Sequence, residues 1–92
     1  MTASIKIEDI KFVNAELRKL LTAGTTLNDW ETKFVRDIGD LIDVDTALSK
    51  KQIFYLYRTY FQRVEDDMDA FEDWCDNFGF RIMWQENQYD RS

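Results

Sequence analysis

Seven carboxylates fall within twelve residues of this chain, and no basic residue lies among them. They are Glu65, Asp66, Asp67, Asp69, Glu72, Asp73 and Asp76. The formal net charge of the chain is −6 and this segment contributes −7, so the other residues together carry +1. Concentrated carboxylates can bind a divalent metal ion or attract a basic surface. The plain alternative is a solvated face of an amphipathic helix.

The residues that most enzymes need are missing from the sequence. Without histidine there is no usual general base at neutral pH, no Cys–His or Ser–His nucleophile and no common zinc site. The three glycines stand apart, so there is no glycine-rich phosphate loop. The acidic segment also lacks the ligand spacing of a calcium loop. The sequence therefore predicts a protein that is not an enzyme, with no cofactor and no metal site.

The acidic segment is predicted to be a binding surface on a helix. Its apolar positions Met68, Phe71 and Cys75 continue a core stripe, and Cys75 is expected to be an inert buried thiol. Like charges one turn apart repel each other by roughly a few tenths of a kcal/mol, so stability alone does not favour this pattern. We interpret it as an anionic ladder that imitates a nucleic-acid backbone. The predicted contact residues are Glu65, Asp66, Asp69, Glu72, Asp73 and Asp76, with Trp74 as an aromatic anchor or else part of the core.

Three helices are predicted to position these residues. The first runs from about residue 7 to 22, and Gly24 supplies its stop. The second opens at Asn28, because a capping box with Glu31 is typical of a helix start, and it ends near Ile42.

The apolar face of the second helix is interrupted by a glycine. Gly39 costs roughly 1 kcal/mol relative to alanine inside a helix. The face is formed by Trp30, Phe34, Ile38 and Leu41. A second, looser acidic patch accompanies this helix, with Asp37, Asp40, Asp43 and Asp45.

The third helix is predicted to be long. Ser49 and Gln52 form a second capping box at its start. From Ile53 onward the apolar positions recur at an average of about 3.6 residues, the period of an α-helix. The prediction is one helix over residues 50–78 ended by Gly79, with a bend near Glu65–Asp67 as the main alternative.

The tail over residues 80–92 is predicted to be irregular or strand-like. Phe80, Ile82 and Trp84 alternate with polar residues, as in a short strand. The segment "SIKI" near the start alternates in the same way and receives little weight as a strand.

Aromatic residues make the first half of the third helix apolar on two sides. Phe54 and Phe61 lie off its main stripe, which places the helix either at the centre of a bundle or in an oligomer, so a homodimer stays open. The run "KKQIFYLYRTYFQR" mixes bases with tyrosines, a composition that occurs in nucleic-acid-binding helices. The adjoining carboxylates would repel nucleic acid, and direct binding to it is not predicted.

Two segments resemble a pattern found in small phage and prophage proteins. There, "LNDWETKF" corresponds to a capped W-E-x-x-F helix, and "LSKKQIFYLYRTYF" to a helix opened by L-S-x-K-Q. The resemblance covers about residues 27–61 and implies a helical fold in a phage or mobile-element setting, with no catalytic residues. In size and charge the chain is also similar to phage anti-restriction and anti-CRISPR inhibitors, some of which are DNA mimics. No residue is carried over from that likeness.

Together these observations predict an all-α, single-domain protein spanning residues 1–92. Its expected function is non-enzymatic: a phage-encoded inhibitor whose acidic helix occupies the basic surface of a nuclease or a CRISPR effector complex. The alternative is a helical oligomerisation or adaptor module that contacts its partner through aromatic surface. A single cysteine, no apolar run near the roughly 20 residues of a membrane span and no signal-peptide pattern favour the cytoplasm of the host cell.

Overall fold

The fold is all-α, as predicted, but the described residues form five helices and not three. The computed structural model describes residues 5–24 and 27–89, with side chains as far as residue 86. The helices are α1 (Ile7–Ala23), α2 (Asp29–Asp43), α3 (Lys50–Tyr60), α4 (Met68–Phe78) and α5 (Arg81–Tyr89), and a π-helical turn, Phe61–Glu65, follows α3. No strand occurs among these residues. Ser4 of the "SIKI" segment lies outside them, and Ile7 begins α1.

The end of α1 and the starts of α2 and α3 follow local chemistry that the sequence predicted. Gly24 closes α1 in the left-handed conformation, at φ 70°, and its N–H donates to the carbonyls of the last turn. Asn28 caps α2, where it accepts from the Glu31 backbone N–H at 2.8 Å and Glu31 accepts from the Asn28 N–H at 2.9 Å. The matching bonds at α3 join Ser49 and Gln52 at 2.8 and 3.1 Å. Both predicted capping boxes are confirmed.

The long helix predicted over residues 50–78 is wrong, because the chain breaks where the alternative placed a bend. The wider π-helical turn follows Tyr60, and Asp66 then adopts the left-handed conformation, at φ 52°. Asp67 caps the new helix α4 by accepting from the Ala70 N–H at 3.0 Å. Aspartate is one of the few residues that tolerate the left-handed region, and it is a strong N-cap, so "EDD" favours a break. The molecule is accordingly short, 34 Å in its longest dimension.

The prediction of an irregular or strand-like tail is also wrong, because residues 81–89 form α5. Gly79 ends α4 at φ 80°, as predicted, and the Phe80 N–H donates to the Cys75 carbonyl at 2.8 Å. The Trp84 N–H then donates to the Phe80 carbonyl at 2.9 Å, which starts α5. Phe80 is buried whereas Ile82 is exposed, so the alternation reflects a helix start and not a sheet. Residues 90–92 lie outside the described residues.

The core is aromatic and α3 lies at its centre. Helix α3 contacts α1, α2 and α4, and α5 packs on α4. Phe54 is buried and Phe61 is half-buried, which confirms the interpretation of α3 as the central helix of a bundle. The buried apolar side chains are Ile10, Val13, Leu17, Val35, Ile38, Phe54, Leu56, Tyr57, Phe71, Trp74, Cys75 and Phe80.

Gly39 has a packing role that its helical position alone does not reveal. A Cβ atom there would lie 3.2 Å from Arg18 Nη1 and 3.3 Å from Asn14 Oδ1, both on α1. Asn14 is buried and its Nδ2 donates to the Val35 carbonyl at 3.1 Å. The glycine therefore allows α1 and α2 to approach closely around this buried hydrogen bond.

Candidate protein-binding surfaces

The predicted carboxylates are solvent-exposed but do not form one continuous ladder. Glu65 ends the π-helical turn, Asp66 lies in the break, and the other four are on α4. We call this set the acidic surface: Glu65, Asp66, Asp69, Glu72, Asp73 and Asp76. The predicted stripe from Glu65 to Asp76 on a single helix is therefore interrupted before α4 begins.

Some acids of this segment stabilise the fold locally. Asp67 caps α4, and Asp69 in its first turn interacts favourably with the positive end of the helix dipole. Glu65 accepts a hydrogen bond from Tyr60 Oη at 2.7 Å. This bond, followed by burial, raises the pKa of Tyr60 to about 12. Capping and hydrogen bonding thus explain part of the unusual composition.

The acids farther along α4 have no comparable explanation. Asp76 lies 3.4 Å from Arg81 across the α4–α5 turn, an exposed pair of little energetic weight. Within the described part of the chain, Glu72 and Asp73 make neither an ion pair nor a side-chain hydrogen bond. Their charges are exposed to solvent and available to a partner.

Trp74 lies in the core of the described structure. It is only 9% exposed. Its indole stacks on Tyr57 with ring centroids 4.2 Å apart and on Phe80 at 5.0 Å. The sequence offered both interpretations, and the structure favours the core, because Trp74 shares the inner face of α4 with Phe71 and Cys75.

The thiol of Cys75 is buried, as the apolar stripe predicted. Burial raises its pKa to about 12, with smaller contributions from the carboxylates of Asp76 and Glu72. The thiol is therefore protonated at neutral pH and a poor nucleophile.

Three further observations bear on the kind of site. Among residues 5–24 and 27–89, no group of three or more acidic or cysteine side chains is arranged to hold a metal ion. None of the described helices has the length and apolarity that a membrane crossing requires. A groove of about 390 Å³ between α1 and α2 is lined by charges of both signs, Lys11 and Arg18 together with Asp43 and Asp45.

A second exposed surface was not predicted as such. Trp30 is 54% exposed although its spacing suggested a core position. Its ring stacks on the half-buried Phe34 with centroids 5.0 Å apart and planes within 7°, and Tyr55 of α3 meets it edge-on at 6.0 Å. We call Trp30 and Phe34 the aromatic ridge. Helix α2 is oriented with Glu31, Val35 and Ile38 facing inward, so that Trp30 faces outward.

Two shallow pockets flank the aromatic ridge. One, about 210 Å³, lies on α2 itself and is lined by Trp30, Lys33, Phe34 and Asp37. The other, about 240 Å³, lies between α2 and α3 and is lined by Trp30, Phe34, Ser49, Lys51, Gln52 and Tyr55. No residue of the acidic surface is among those described as lining them.

Comparison with known proteins finds no relative: no family model, no curated protein and no solved structure matches the chain. Two surfaces therefore remain as the basis for a functional argument. One is charged and polar, and the other is aromatic.

Proposed function

We propose that this chain is a non-enzymatic binding protein whose acidic surface occupies a basic, nucleic-acid-binding surface of another protein. The resemblance to small phage proteins favours a phage-encoded inhibitor of a host defence or nucleic-acid-processing complex, such as a nuclease or a CRISPR effector, acting in the host cytoplasm. The observation that carries the proposal is the exposure of the carboxylates from Glu65 to Asp76, which account for the entire net negative charge.

Electrostatics favours this mode of action. Exposed carboxylates on a folded scaffold attract a basic groove from a distance and raise the rate of association. Such attraction weakens with salt, because the Debye length falls from about 30 Å at 0.01 M to about 8 Å at 0.15 M. The same charge repels free nucleic acid, so the proposed partner is the protein that binds nucleic acid and not the nucleic acid.

A matched pair of charge reversals tests the proposal. Glu72 and Asp73 of the acidic surface are changed together to lysine, and Asp40 and Asp43 of α2 are changed together to lysine in a control with the same net charge. Tagged chains capture proteins from host lysate at about 50 mM and about 500 mM salt, a range over which screening becomes strong. We expect a basic nucleic-acid-binding protein at low salt with the parent chain and the control, and at least a tenfold lower recovery with the Glu72/Asp73 variant.

The outcomes separate the proposal from its alternatives. If both variants lost captured protein equally, capture would depend on net charge and not on the acidic surface. Undiminished capture by the Glu72/Asp73 variant would contradict the proposal.

A second candidate function is an oligomerisation or adaptor module that binds through aromatic surface. The exposure of Trp30 favours it, because tryptophan is enriched at the energetic centres of interfaces. Capture that survives charge reversal at Glu72 and Asp73 but is lost on Trp30→Ala would support this candidate.

A further inference from the structure

Only two residues separate the π-helical turn from α4. Asp66 has a φ of 52° and Asp67 a φ of −144°, whereas the residues on both sides of them are helical. The chain has no proline, and no glycine lies between Gly39 and Gly79, so the break depends on an aspartate in the strained left-handed region. A short hinge under strain favours the exchange of the element beyond it between two copies of a chain.

The elements beyond this hinge form a unit that a second copy could receive. Helix α5 packs on α4, and α4 packs on α3 and the π-helical turn. The ring of Phe71 lies 5.4 Å from that of Phe54 on α3. Because these contacts do not depend on which copy supplies α3, α4 and α5 of one copy can dock on α3 of another with the same contacts retained.

The contacts between α3 and α4 run in antiparallel order. Phe61, next to the end of α3, meets Phe71 with ring centroids 5.7 Å apart. Tyr57, one turn earlier in the chain, meets Trp74, one turn later, at 4.2 Å. Residues at nearly equal distances along the chain from residue 66 therefore face each other.

The apolar residues next to the hinge are exposed in the single chain. Val64 is 38% exposed and Met68 is 39% exposed, although both continue the apolar stripe. When the π-helical turn and α4 join as one helix, the same antiparallel register between two copies puts the two-fold axis near residue 66. Val64 of each copy then lies opposite Met68 of the other. The exchange thus covers apolar surface that the single chain leaves in water.

We propose that this chain forms an exchanged dimer, in which Asp66 and Asp67 become helical and α4 with α5 of each copy packs on α3 of the other. The contact is isologous and therefore closes at two copies. Carboxylates of residues 65–67 of both copies approach each other near the axis, so salt that screens them favours the dimer. Capture of a basic partner weakens with salt, so this inference goes beyond the proposed function and each can fail without the other.

Refolding of the full chain at two protein concentrations tests the proposal. The parent chain is unfolded in urea, refolded at about 10 µM or about 1 mM in about 0.5 M salt, and sedimented after dilution. We expect 11.1 kDa from the dilute sample, and a fraction with twice that mass from the concentrated one. The dimer persists on dilution because its separation requires α4 and α5 to leave the core. A parent chain that is monomeric after both treatments would overturn the proposal.

Two substitutions at the hinge test the role of its backbone. Asp66→Ala and Asp66→Gly remove the same charge, but alanine favours a continuous helix and glycine adopts the left-handed conformation freely. Since a dimer contains two hinges, the difference counts twice. We expect Asp66→Ala to become half dimeric at a protein concentration lower by at least a factor of about ten than Asp66→Gly. Equal concentrations for the two variants would contradict the hinge.

A second pair of variants tests the contact at the two-fold axis. Val64→Ser combined with Met68→Ser is expected to lower the dimer yield about tenfold while the single chain stays folded, because both residues are exposed there. Ile82→Ser is the control, since Ile82 is exposed on α5 and lies away from the hinge. Circular dichroism checks helix content. Equal yields from the control and the Val64/Met68 variant would exclude the contact at the axis.

Spin labels distinguish exchange from association of unchanged copies. Lys51→Cys and Asn77→Cys carry the labels in a chain with Cys75→Ala, diluted with unlabelled chain so that only distances within a chain are measured. In the single chain the start of α3 lies near the end of α4, since Lys50 Nζ is 5.8 Å from the ring centroid of Phe80. Along one helix, residues 51 and 77 are about 39 Å apart at about 1.5 Å per residue. We expect this long distance in the dimer, and a dimer that shows the short distance of the monomer would overturn the exchange.

Discussion

Glu31 shows how one side chain can join a helix start to a distant part of the fold. Its Oε1 accepts from the Asn28 N–H in the capping box. The same carboxylate also binds Arg63 of the π-helical turn, with Nη2 3.0 Å from Oε1 and Nε 3.1 Å from Oε2. Arg63 is thirty-two residues away in sequence, and the pair is two-pronged, the strong form of an arginine–carboxylate interaction.

The burial of Glu31 beside a partly exposed Arg63 makes this glutamate more important for stability than an exposed one. Glu31 is 5% exposed, so Glu31→Ala leaves Arg63 without its carboxylate and α2 without part of its cap. We expect the free energy of unfolding, measured in urea, to fall by roughly 2–4 kcal/mol. Glu31→Gln keeps the cap acceptor and is expected to cost less.

Glu16 provides the control for this prediction. It also forms an ion pair, with Lys19 Nζ at 2.7 Å, but the lysine side chain of that pair is mostly exposed. Glu16→Ala is therefore expected to change the free energy of unfolding by less than about 0.5 kcal/mol. Equal effects at the two glutamates would show that the Glu31–Arg63 pair stabilises the fold no more than an exposed ion pair does.

At the scale of the elements, the break between α3 and α4 determines where the acidic surface points. The π-helical turn is wider than an α-helical turn, and the Asp67 N–H reaches back to the Phe61 carbonyl at 3.0 Å. Asp66 then reverses the sign of φ before α4 begins. As a result α4 folds back so that Phe71 and Trp74 contact the rings of α3.

A pair of substitutions at Asp66 tests whether its left-handed backbone conformation is needed for the break between α3 and α4. Asp66→Gly and Asp66→Ala remove the same charge, but glycine adopts φ 52° freely and alanine does not. We expect Asp66→Gly to leave the free energy of unfolding unchanged or slightly higher, and Asp66→Ala to be about 1 kcal/mol less stable than the glycine variant. Urea denaturation of both variants measures the difference. Two variants of equal stability would show that the left-handed conformation of residue 66 does not contribute to the free energy of unfolding.

The sequence predicted the helix ends well because their determinants are local. Asn28 with Glu31, Ser49 with Gln52, and Gly79 each act within a few residues. The break was offered only as an alternative, because α3 and α4 face the same core and the apolar period continues across it. The prediction that Trp30 belongs to the core face was wrong for a related reason. Its spacing fits a core stripe, but Glu31 is the residue that faces inward, where it binds Arg63 from another element.

At the scale of the whole molecule, one aromatic core joins the central helix to the chain beyond α4. Phe80 lies between α4 and α5, with its ring 5.0 Å from Trp74 and 6.1 Å from Phe54. Lys50 at the start of α3 lies over the same ring, 5.8 Å from its centroid. The core therefore fixes both the inner face of α4 and the start of α5. The carboxylates of α4 lie on the outer, exposed face of that helix.

This arrangement makes residue 80 part of the cooperative unit and not of a loose tail. Phe80 is 2% exposed and Ile82, two residues on, is 71% exposed. Phe80→Ala is expected to lower the free energy of unfolding by roughly 3–5 kcal/mol and Phe80→Leu by about 1 kcal/mol, whereas Ile82→Ala is expected to change it by less than about 0.5 kcal/mol. Urea transitions followed by circular dichroism and by tryptophan fluorescence should coincide in every folded variant. If Phe80→Ala cost no more than Ile82→Ala, the segment after Gly79 would not be docked, and the acidic surface would be held by α3 and α4 alone.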